Sequence, residues 1–252
     1  MDRITYVAPT AAHLLGIEYD GKTSSRVEKH CPDRAQRLLL YNPDAVAWWI
    51  FEKYNSYFDK LGLSGSLVLK TKSVMPCVTP VCFASIYSGL MPKFHGIRSY
   101  VKPVLSCRTL FDAAIDAGLS PAICSTEGDS ISQIFLNRDM EYYIYPTVDE
   151  VNAKARELIK ADRNELIVVY NGNYDGAMHK VSPEGAAALS ALRDNIAAYS
   201  ELRGLCREAW QGKTAYSAFL PDHGCHEIDG AMGSHGLDMP EDMEIVHIWD
   251  RI

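Results

Sequence analysis

The sequence predicts an α/β protein, a three-layer sandwich in which helices cover both faces of a mostly parallel central sheet. Short apolar runs alternate with longer helix-like segments along the 252 residues, which is the order of elements found in parallel sheets. The run at 166–170 is almost entirely β-branched or aromatic, as strands buried on both faces tend to be. We expect one domain over residues 1–252, because no internal repeat or low-complexity segment divides the chain.

Helix and turn signals set the boundaries of the predicted elements. Gly89 and Gly118 end two helices, and Ser182 is the candidate N-cap of the longest one. Residues 1–36 are interpreted as an N-terminal segment and a polar tether that pack on the core. Strands are predicted at 3–8, 37–41, 66–72, 121–125, 166–170 and 215–220. Helices are predicted at 9–15, 45–60, 80–88, 107–118, 128–136, 148–161 and 183–210.

Composition and charge argue against several classes of protein. The net charge of −7 predicts no nucleic-acid-binding surface. No apolar stretch approaches the length of a membrane span, so we expect no membrane partner. The seven cysteines form no CxxC pair, and no signal peptide is recognised at the N-terminus; both features predict a cytoplasmic protein with reduced thiols. Trp48 and Trp49 suit the core and an interface of a homo-oligomer equally well.

Carboxylates and imidazoles follow the predicted strands at the point where each strand ends. Six residues stand there: Asp44 after 37–41, Asp175 and His179 after 166–170, Asp222 and His223 after 215–220, and His235 in the glycine-rich loop beyond. The carboxyl ends of parallel strands meet at one edge of a sheet, and these side chains are ligands of two-metal hydrolytic sites. Alone, each of these motifs also fits an ordinary loop.

Thr79 places a hydroxyl just before the predicted helix 80–88. A threonine hydroxyl is a poor nucleophile unless a base or a metal lowers its pKa. A helix N-terminus also attracts anions. The same position suits an ordinary N-cap threonine, so Thr79 is a candidate nucleophile only in combination with the metal-type residues.

Together the motifs resemble those of the alkaline phosphatase superfamily. Residues 78–97 read VTPVCFASIYSGLMPKFHGI, and this segment resembles the nucleophile segment of the type I phosphodiesterase/nucleotide pyrophosphatase branch. There a threonine precedes a helix, a Thr-Gly or Ser-Gly pair and a Pro-x-x-His-Gly-Ile stretch. Asp175-x-x-x-His179 and Asp222-His223-Gly224 match two further signatures in the same order. The resemblance covers residues 37–245 and implies an alkaline phosphatase-like fold, and the short chain predicts a small or absent cap.

The resemblance also implies a role for each candidate residue. Two divalent ions, zinc or alternatively manganese, would be bound by two sets of ligands, which are Asp44, Asp222, His223 and Thr79 for one ion and Asp175, His179 and His235 for the other. Thr79 would attack phosphorus and form a phosphothreonine intermediate, which water would then hydrolyse.

Two positions depart from the family pattern. The first aspartate stands in the sequence YNPDA at 41–45 rather than before a glycine, so Asn42 is the rival of Asp44 for the metal. Nucleotide pyrophosphatases have an asparagine that contacts the phosphoryl oxygen a few residues after the His-Gly-Ile stretch. This chain has Arg98-Ser99-Tyr100 there, so Tyr100 and Lys102 are the candidate substrate-binding residues.

The N-terminal residues 6–17, which read YVAPTAAHLLGI, resemble a helix that superfamily members carry near the C-terminus. We hypothesise that residues 1–17 pack where that element would, as in a permuted chain. The hypothesis requires these residues to lie close to the C-terminal end of the chain.

The sequence therefore predicts a metal-dependent phosphoric ester hydrolase, of phosphodiesterase or nucleotide pyrophosphatase type, that acts on a small phosphate ester. A phosphomonoesterase or phosphonate hydrolase of the same superfamily is one alternative, and a degenerate, metal-free binding protein on this fold is the other. A mutase would carry a large inserted domain and a sulfatase a Cys-x-Pro-x-Arg signature, and the sequence has neither.

Overall fold

The computed structural model describes residues 1–252 and contains ten strands. Their bounds are β1 Asp2–Arg3, β2 Arg37–Pro43, β3 Leu67–Lys72, β4 Pro121–Thr126, β5 Glu141–Tyr145, β6 Leu166–Asn171, β7 Ala215–Phe219, β8 His226–Ile228, β9 Met232–Ser234 and β10 Glu244–Arg251. The sequence predicted β2, β3, β4, β6 and β7 but not β5, the β8–β9 hairpin or β10.

Eleven α-helices connect these strands. They are α1 Val7–Leu15, α2 Ser25–His30, α3 Trp48–Lys53, α4 Thr79–Ser88, α5 Pro92–His95, α6 Leu110–Asp116, α7 Ser130–Ile134, α8 Val148–Ala161, α9 Asn173–Val181, α10 Ala186–Ala209 and α11 Pro240–Met243. The predicted strand 3–8 was wrong beyond Arg3, since a 3-10 turn and α1 follow. Ser182 was wrong as the N-cap of α10, because it ends α9 with φ 75° and Gly185 takes the cap position.

Eight strands form the central sheet in the order β1-β3-β10-β7-β2-β6-β4-β5. All the pairings are parallel except those of β10, which runs antiparallel to β3 and β7. The predicted fold class is therefore confirmed. Three adjacent strands at the centre, β7, β2 and β6, end at the same edge, and that edge carries the candidate site.

Helices cover both faces of this sheet, because side chains of the buried strands alternate between two cores. Leu38 and Leu40 of β2 face a core built with α1, α4 and α6, whereas Leu39 and Tyr41 face a second core built with α8, α9 and α10. Trp48 and Trp49 pack against the second core. This alternation is what a strand with two buried faces produces.

The N-terminal segment lies against the C-terminal strand, as the permutation hypothesis requires. β1 pairs with β3, which is the neighbour of β10. The Tyr6 hydroxyl accepts a hydrogen bond from Trp249 Nε1 at 2.8 Å and lies 2.9 Å from His247 Nδ1. His247 and Trp249 are both fully buried, so Tyr6 satisfies polar atoms that have no access to water.

None of the helices is both long and apolar enough to cross a membrane.

Removing the Tyr6 hydroxyl tests the docking of this segment. Tyr6→Phe leaves the buried Trp249 indole N–H without an acceptor, so we expect the free energy of unfolding to fall by about 1–3 kcal/mol. Tyr145→Phe is the matched control, because its hydroxyl has no hydrogen-bond partner within the chain, and it should change stability by less than about 0.5 kcal/mol. Urea unfolding measures both; equal effects of the two changes would show that the contact does not stabilise the fold.

Candidate metal centre

The fold brings the seven predicted side chains together at the carboxyl edge of the sheet. Asp44 follows β2, and its backbone N–H donates to Asn171 O of β6 at 3.2 Å. Asp222 and His223 follow β7, and Asp175 and His179 lie on α9 directly after β6. These residues meet Asp44 because β7, β2 and β6 are neighbours in the sheet. Thr79 and His235 reach the same place from the first turn of α4 and from the separate β8–β9 hairpin.

One group of atoms surrounds the imidazole of His223. Its Nε2 lies 3.3 Å from Asp44 Oδ1 and 3.3 Å from Asp222 Oδ2. The Thr79 hydroxyl lies 3.3 Å from the same nitrogen and 3.4 Å from Asp44 Oδ2. All four side chains are buried, so water does not screen their charges.

A second group surrounds Asp175. Its Oδ1 lies 3.3 Å from His179 Nε2, one helical turn away on α9, and 3.6 Å from His235 Nε2. Ligand atoms of these three residues lie within 4.8 Å of one another, and so do those of Asp44, Asp175 and His223. Asp175 thus stands between two adjacent groups of potential metal ligands.

The carboxyl groups present unsatisfied oxygens to this space. Asp44 Oδ1, Asp175 Oδ1 and Asp222 Oδ2 are buried and receive no hydrogen bond. A buried carboxylate oxygen without a donor is costly unless a cation or a proton compensates it. Oxygen and imidazole donors in this number suit divalent ions such as zinc. The residues present therefore fit the metals that the sequence motifs imply.

The three histidines are oriented by backbone carbonyls. Nδ1 of His223, His179 and His235 lies 3.0, 3.0 and 2.9 Å from the carbonyl oxygens of Gly224, Gly233 and Cys77, respectively. A proton held on Nδ1 for such a bond leaves the Nε2 lone pair of a neutral imidazole directed into the site. Lone pairs would then face carboxylate oxygens, an arrangement that a cation between them stabilises.

Burial and mutual repulsion govern protonation at the site. Burial, together with the charge of Asp175, raises the pKa of Asp44 to about 6. Burial and the neighbouring Asp44 raise the pKa of Asp222 well above its usual value. Burial lowers the pKa of His235 to about 3, so this imidazole is neutral at pH 7. The carboxylate of Asp175, whose Oδ1 lies 3.3 Å from His179 Nε2, raises the pKa of His179.

The side chains of Asn42 and Asp44, the two candidates for the first metal ligand, point in different directions. Asn42 Nδ2 donates to Leu40 O and Tyr87 Oη at 3.1 and 2.9 Å. These contacts place Asn42 in the core on one side of β2, away from His223. Only Asp44 reaches the group of metal-type side chains.

Two residues near the site escaped the sequence analysis. The Tyr170 hydroxyl donates to Asp44 Oδ2, and this leaves Oδ1 free to face the site. Asp129 follows β4, and burial and the charge of Asp44 raise its pKa to about 7. Tyr170 was counted as an ordinary strand residue, whereas Asp129 carried the same strand-end signal as Asp44.

The candidate substrate-binding residues lie close to each other. Lys102 Nζ donates to Gly128 O at 2.6 Å, and it lies 5.3 Å from the centre of the Tyr100 ring. Tyr100 is 61% exposed. Burial, together with the charges of Asp44 and Asp175, raises the Tyr100 pKa, so this ring is within range of the charge of the acidic centre.

No family model and no curated protein sequence matches this chain. Several solved structures, in contrast, are similar to it in fold. An inactive variant of murine ectonucleotide pyrophosphatase/phosphodiesterase 5 in complex with AMP superposes with a TM-score of 0.62 at 16% identity, over 77% of this chain. The chain spans 58% of the length of that protein's chain.

Two further structures share the architecture. The periplasmic domain of phosphoethanolamine transferase EptC from Campylobacter jejuni has a TM-score of 0.62 at 14% identity, over 86% of this chain and 80% of its own. Phosphonoacetate hydrolase from Sinorhizobium meliloti, in complex with phosphonoformate, has a TM-score of 0.57 at 18% identity. The match covers 79% of this chain and 59% of the hydrolase chain. The chain thus has the alkaline phosphatase-like fold that its motifs predict.

Because the carboxyl oxygens are unsatisfied, we expect Asp44→Asn to stabilise the metal-free protein and to destabilise the zinc-loaded protein. The folded pKa of Asp44 is raised from 3.8 to about 6, so in metal-free protein stability is lost as pH rises through that window. At pH 7.5 with chelator, Asp44→Asn should therefore increase the free energy of unfolding by about 1–3 kcal/mol. With zinc the wild type should be the more stable, because the variant has lost a ligand.

Urea unfolding in chelator and in zinc measures both effects. The exposed Asp59→Asn should change neither by more than about 0.5 kcal/mol. Destabilisation by Asp44→Asn both in chelator and in zinc would contradict the interpretation that the donor-free carboxyl oxygens bind a cation.

The Tyr170 hydroxyl contacts Asp44 rather than a metal, so replacing it tests whether the orientation of Asp44 affects zinc affinity. Tyr170→Phe removes the donor that orients Asp44, so zinc affinity should fall about 10–100-fold. Tyr87→Phe is the control, since Tyr87 is an equally buried tyrosine that bonds Asn42 instead. Competition with a fluorescent chelator gives both affinities; indistinguishable values would exclude an orienting role for Tyr170.

Proposed function

We propose that this protein is a metal-dependent phosphoric ester hydrolase of phosphodiesterase or nucleotide pyrophosphatase type. The observation that carries the proposal is the cluster of three donor-free carboxyl oxygens and three directed imidazoles, in which Asp44 and His223 contact the hydroxyl of Thr79. The ligand sets are those implied by the resemblance: Asp44, Asp222, His223 and Thr79 for one ion, and Asp175, His179 and His235 for the other.

Two divalent ions, zinc or manganese, would when bound lower the pKa of the Thr79 hydroxyl and neutralise charge on the phosphoryl oxygens. The chain itself supplies the position of the nucleophile. Thr79 is held in the first turn of α4, whose N-terminus favours an anion beside it. Its Oγ1 would form a bond to phosphorus as the bond between phosphorus and the leaving alcohol breaks. Water would then hydrolyse the phosphothreonine.

Tyr100 and Lys102 are proposed to contact the substrate beside this nucleophile. Lys102 offers one positive charge, which Asp129, with its pKa raised to about 7, offsets in part. A monoester dianion needs more positive charge around its free oxygens than a diester monoanion does. The small positive charge of these candidate substrate-binding residues therefore favours a phosphodiester, and the AMP bound by the murine structure makes a nucleotide ester a suitable probe.

Two general properties are proposed on other grounds. All seven cysteines are free thiols, which supports the cytoplasmic location predicted from the sequence. Residues 1–252 are proposed to act as one domain, because residues 1–36 contribute buried side chains to the same core as α4.

Replacing the nucleophile tests the proposal. Zinc-loaded or manganese-loaded protein should hydrolyse bis-p-nitrophenyl phosphate faster than p-nitrophenyl phosphate. Thr79→Ala should lower the turnover number by about 10³-fold or more, while Thr79→Ser should keep part of the activity. Ser88→Ala, at the other end of α4, is the control and should stay near wild type.

The substrates separate the alternatives. Faster turnover of the monoester, or turnover of a phosphonate alone, would replace the phosphodiesterase by one of its superfamily alternatives. Bound metal with activity that survives in Thr79→Ala would exclude the threonine mechanism. Absence of both metal binding and turnover would favour the binding protein.

A further inference from the structure

Exposed apolar side chains flank the candidate substrate-binding residues Tyr100 and Lys102 along the chain. Residues 93–104, which we name the rim segment, run from α5 past Tyr100 and Lys102. Phe94, Tyr100, Val101 and Val104 are 65, 61, 51 and 41% exposed. Large apolar side chains grouped on a surface mark a site of contact rather than a solvated loop.

The same segment carries positive charge that no acidic residue neutralises by direct contact. Lys93, Arg98 and Lys102 form no ion pair within the chain. Arg98 Nη2 donates to Lys93 O at 3.1 Å, which holds these two cations on one turn. Lys102 partly offsets the rise in the pKa of Asp129. The rim segment thus combines exposed apolar groups with free cations.

This charge is a regional property of a protein that is acidic overall. Residues 60–111 contain no aspartate or glutamate, although the net charge of the chain is −7. Their basic residues are Lys60, Lys70, Lys72, Lys93, Arg98, Lys102 and Arg108. Arg108 is paired with Asp116, and Lys70 is paired with Glu244. The acidic residues lie elsewhere, including Glu227, Asp229 and Asp238 around the β8–β9 hairpin that supplies the carbonyl of Gly233 to His179. The positive charge that suits an anionic surface is therefore concentrated in residues 60–111, which include the rim segment.

We propose that the rim segment is a contact surface for an anionic lipid bilayer, which would present the phosphate esters of lipid headgroups to the metal centre. The substrate half of this proposal rests on the proposed hydrolase function, whereas the lipid contact does not. Apolar side chains enter the interfacial region while neighbouring lysines and arginines attract anionic headgroups. Such a contact needs no spanning helix, so it revises only the expectation that the protein has no membrane partner.

The surface chemistry favours lipid over nucleic acid. Two of the four exposed apolar side chains are valines, which cannot stack on bases. One face of each aromatic ring is already covered, by Lys93 Nζ at 4.7 Å from the Phe94 ring and by Lys102 Nζ at 5.3 Å from the Tyr100 ring. Only the opposite face of each ring is left for a base to stack on, and the overall acidity opposes binding to a long polyanion.

The charges also disfavour a second copy of the chain at this surface. In a two-fold symmetric contact the same patch meets itself. Lys93, Arg98 and Lys102 would then face their own copies, and like charges brought together across an interface are destabilising. A bilayer with anionic headgroups brings the opposite charge and an apolar layer at the same time.

Vesicle sedimentation tests the contact without reference to catalysis. Zinc-loaded protein is mixed with vesicles of phosphatidylcholine alone or with roughly 30% phosphatidylserine, and the sedimented fraction gives the partition coefficient. We expect binding only to the anionic vesicles, weakened by about 0.5 M NaCl. Lys93→Gln/Arg98→Gln should lower the coefficient about 30-fold, since each cation near the surface contributes about fivefold. Phe94→Ser/Val101→Ser should lower it as well, at unchanged charge.

Lys160→Gln/Arg163→Gln is the matched control, because both side chains are exposed and unpaired and lie at the amino end of β6, opposite the site. It should bind as wild type does, and thermal unfolding verifies that every variant is folded. No binding to anionic vesicles, an equal loss in the control, or displacement of the protein from vesicles by a short single-stranded oligonucleotide would overturn the proposal. If the zinc-loaded wild-type protein binds the vesicles but does not hydrolyse bis-p-nitrophenyl phosphate, the hydrolase function is contradicted and the lipid contact is not.

Discussion

Three aspartates at the ends of the adjacent strands β7, β2 and β6 each hold a buried carboxyl oxygen that no hydrogen-bond donor reaches. This shortage of positive charge is the constraint on which the rest of the site depends. The carboxyl groups repel one another and are desolvated, so the two cores on either side of the sheet must hold them in place. A fold that is stable enough to do this has, in effect, a preformed site for divalent cations.

The surrounding groups add direction to this charge. Each of the three imidazoles is fixed by a backbone carbonyl, and Asp44 is fixed by Tyr170 and by a backbone bond to β6. Partners of this kind set the orientation of metal ligands and tune their basicity. Thr79 adds the one hydroxyl, and it enters from a helix N-terminus where an anion is favoured. Geometry and electrostatics therefore both support the proposal of an anionic substrate whose reacting atom lies beside Thr79.

The parts of this arrangement that depend on local pattern were predictable from the sequence. Apolar runs in the sequence predict the central strands, and polar residues at the ends of these strands share an edge because the strands are parallel. The choice between Asn42 and Asp44 was not predictable, since it depends on the turn that Pro43 and Ala45, with φ 64°, impose. β10 was missed because its buried polar residues, His247 and Asp250, find partners far away in Tyr6 and Arg203. Tyr170 was missed for a similar reason, because its contact with Asp44 exists only in the folded chain.

A crystal structure of the zinc-loaded protein, with an anomalous difference map at the zinc edge, tests most directly whether the site binds two ions. We expect two peaks about 4 Å apart, one in contact with Asp44, Asp222, His223 and Thr79, the other with Asp175, His179 and His235. Absence of anomalous density at this edge of the sheet, with zinc present in the crystal, would contradict this expectation, and so would peaks bound elsewhere on the molecule.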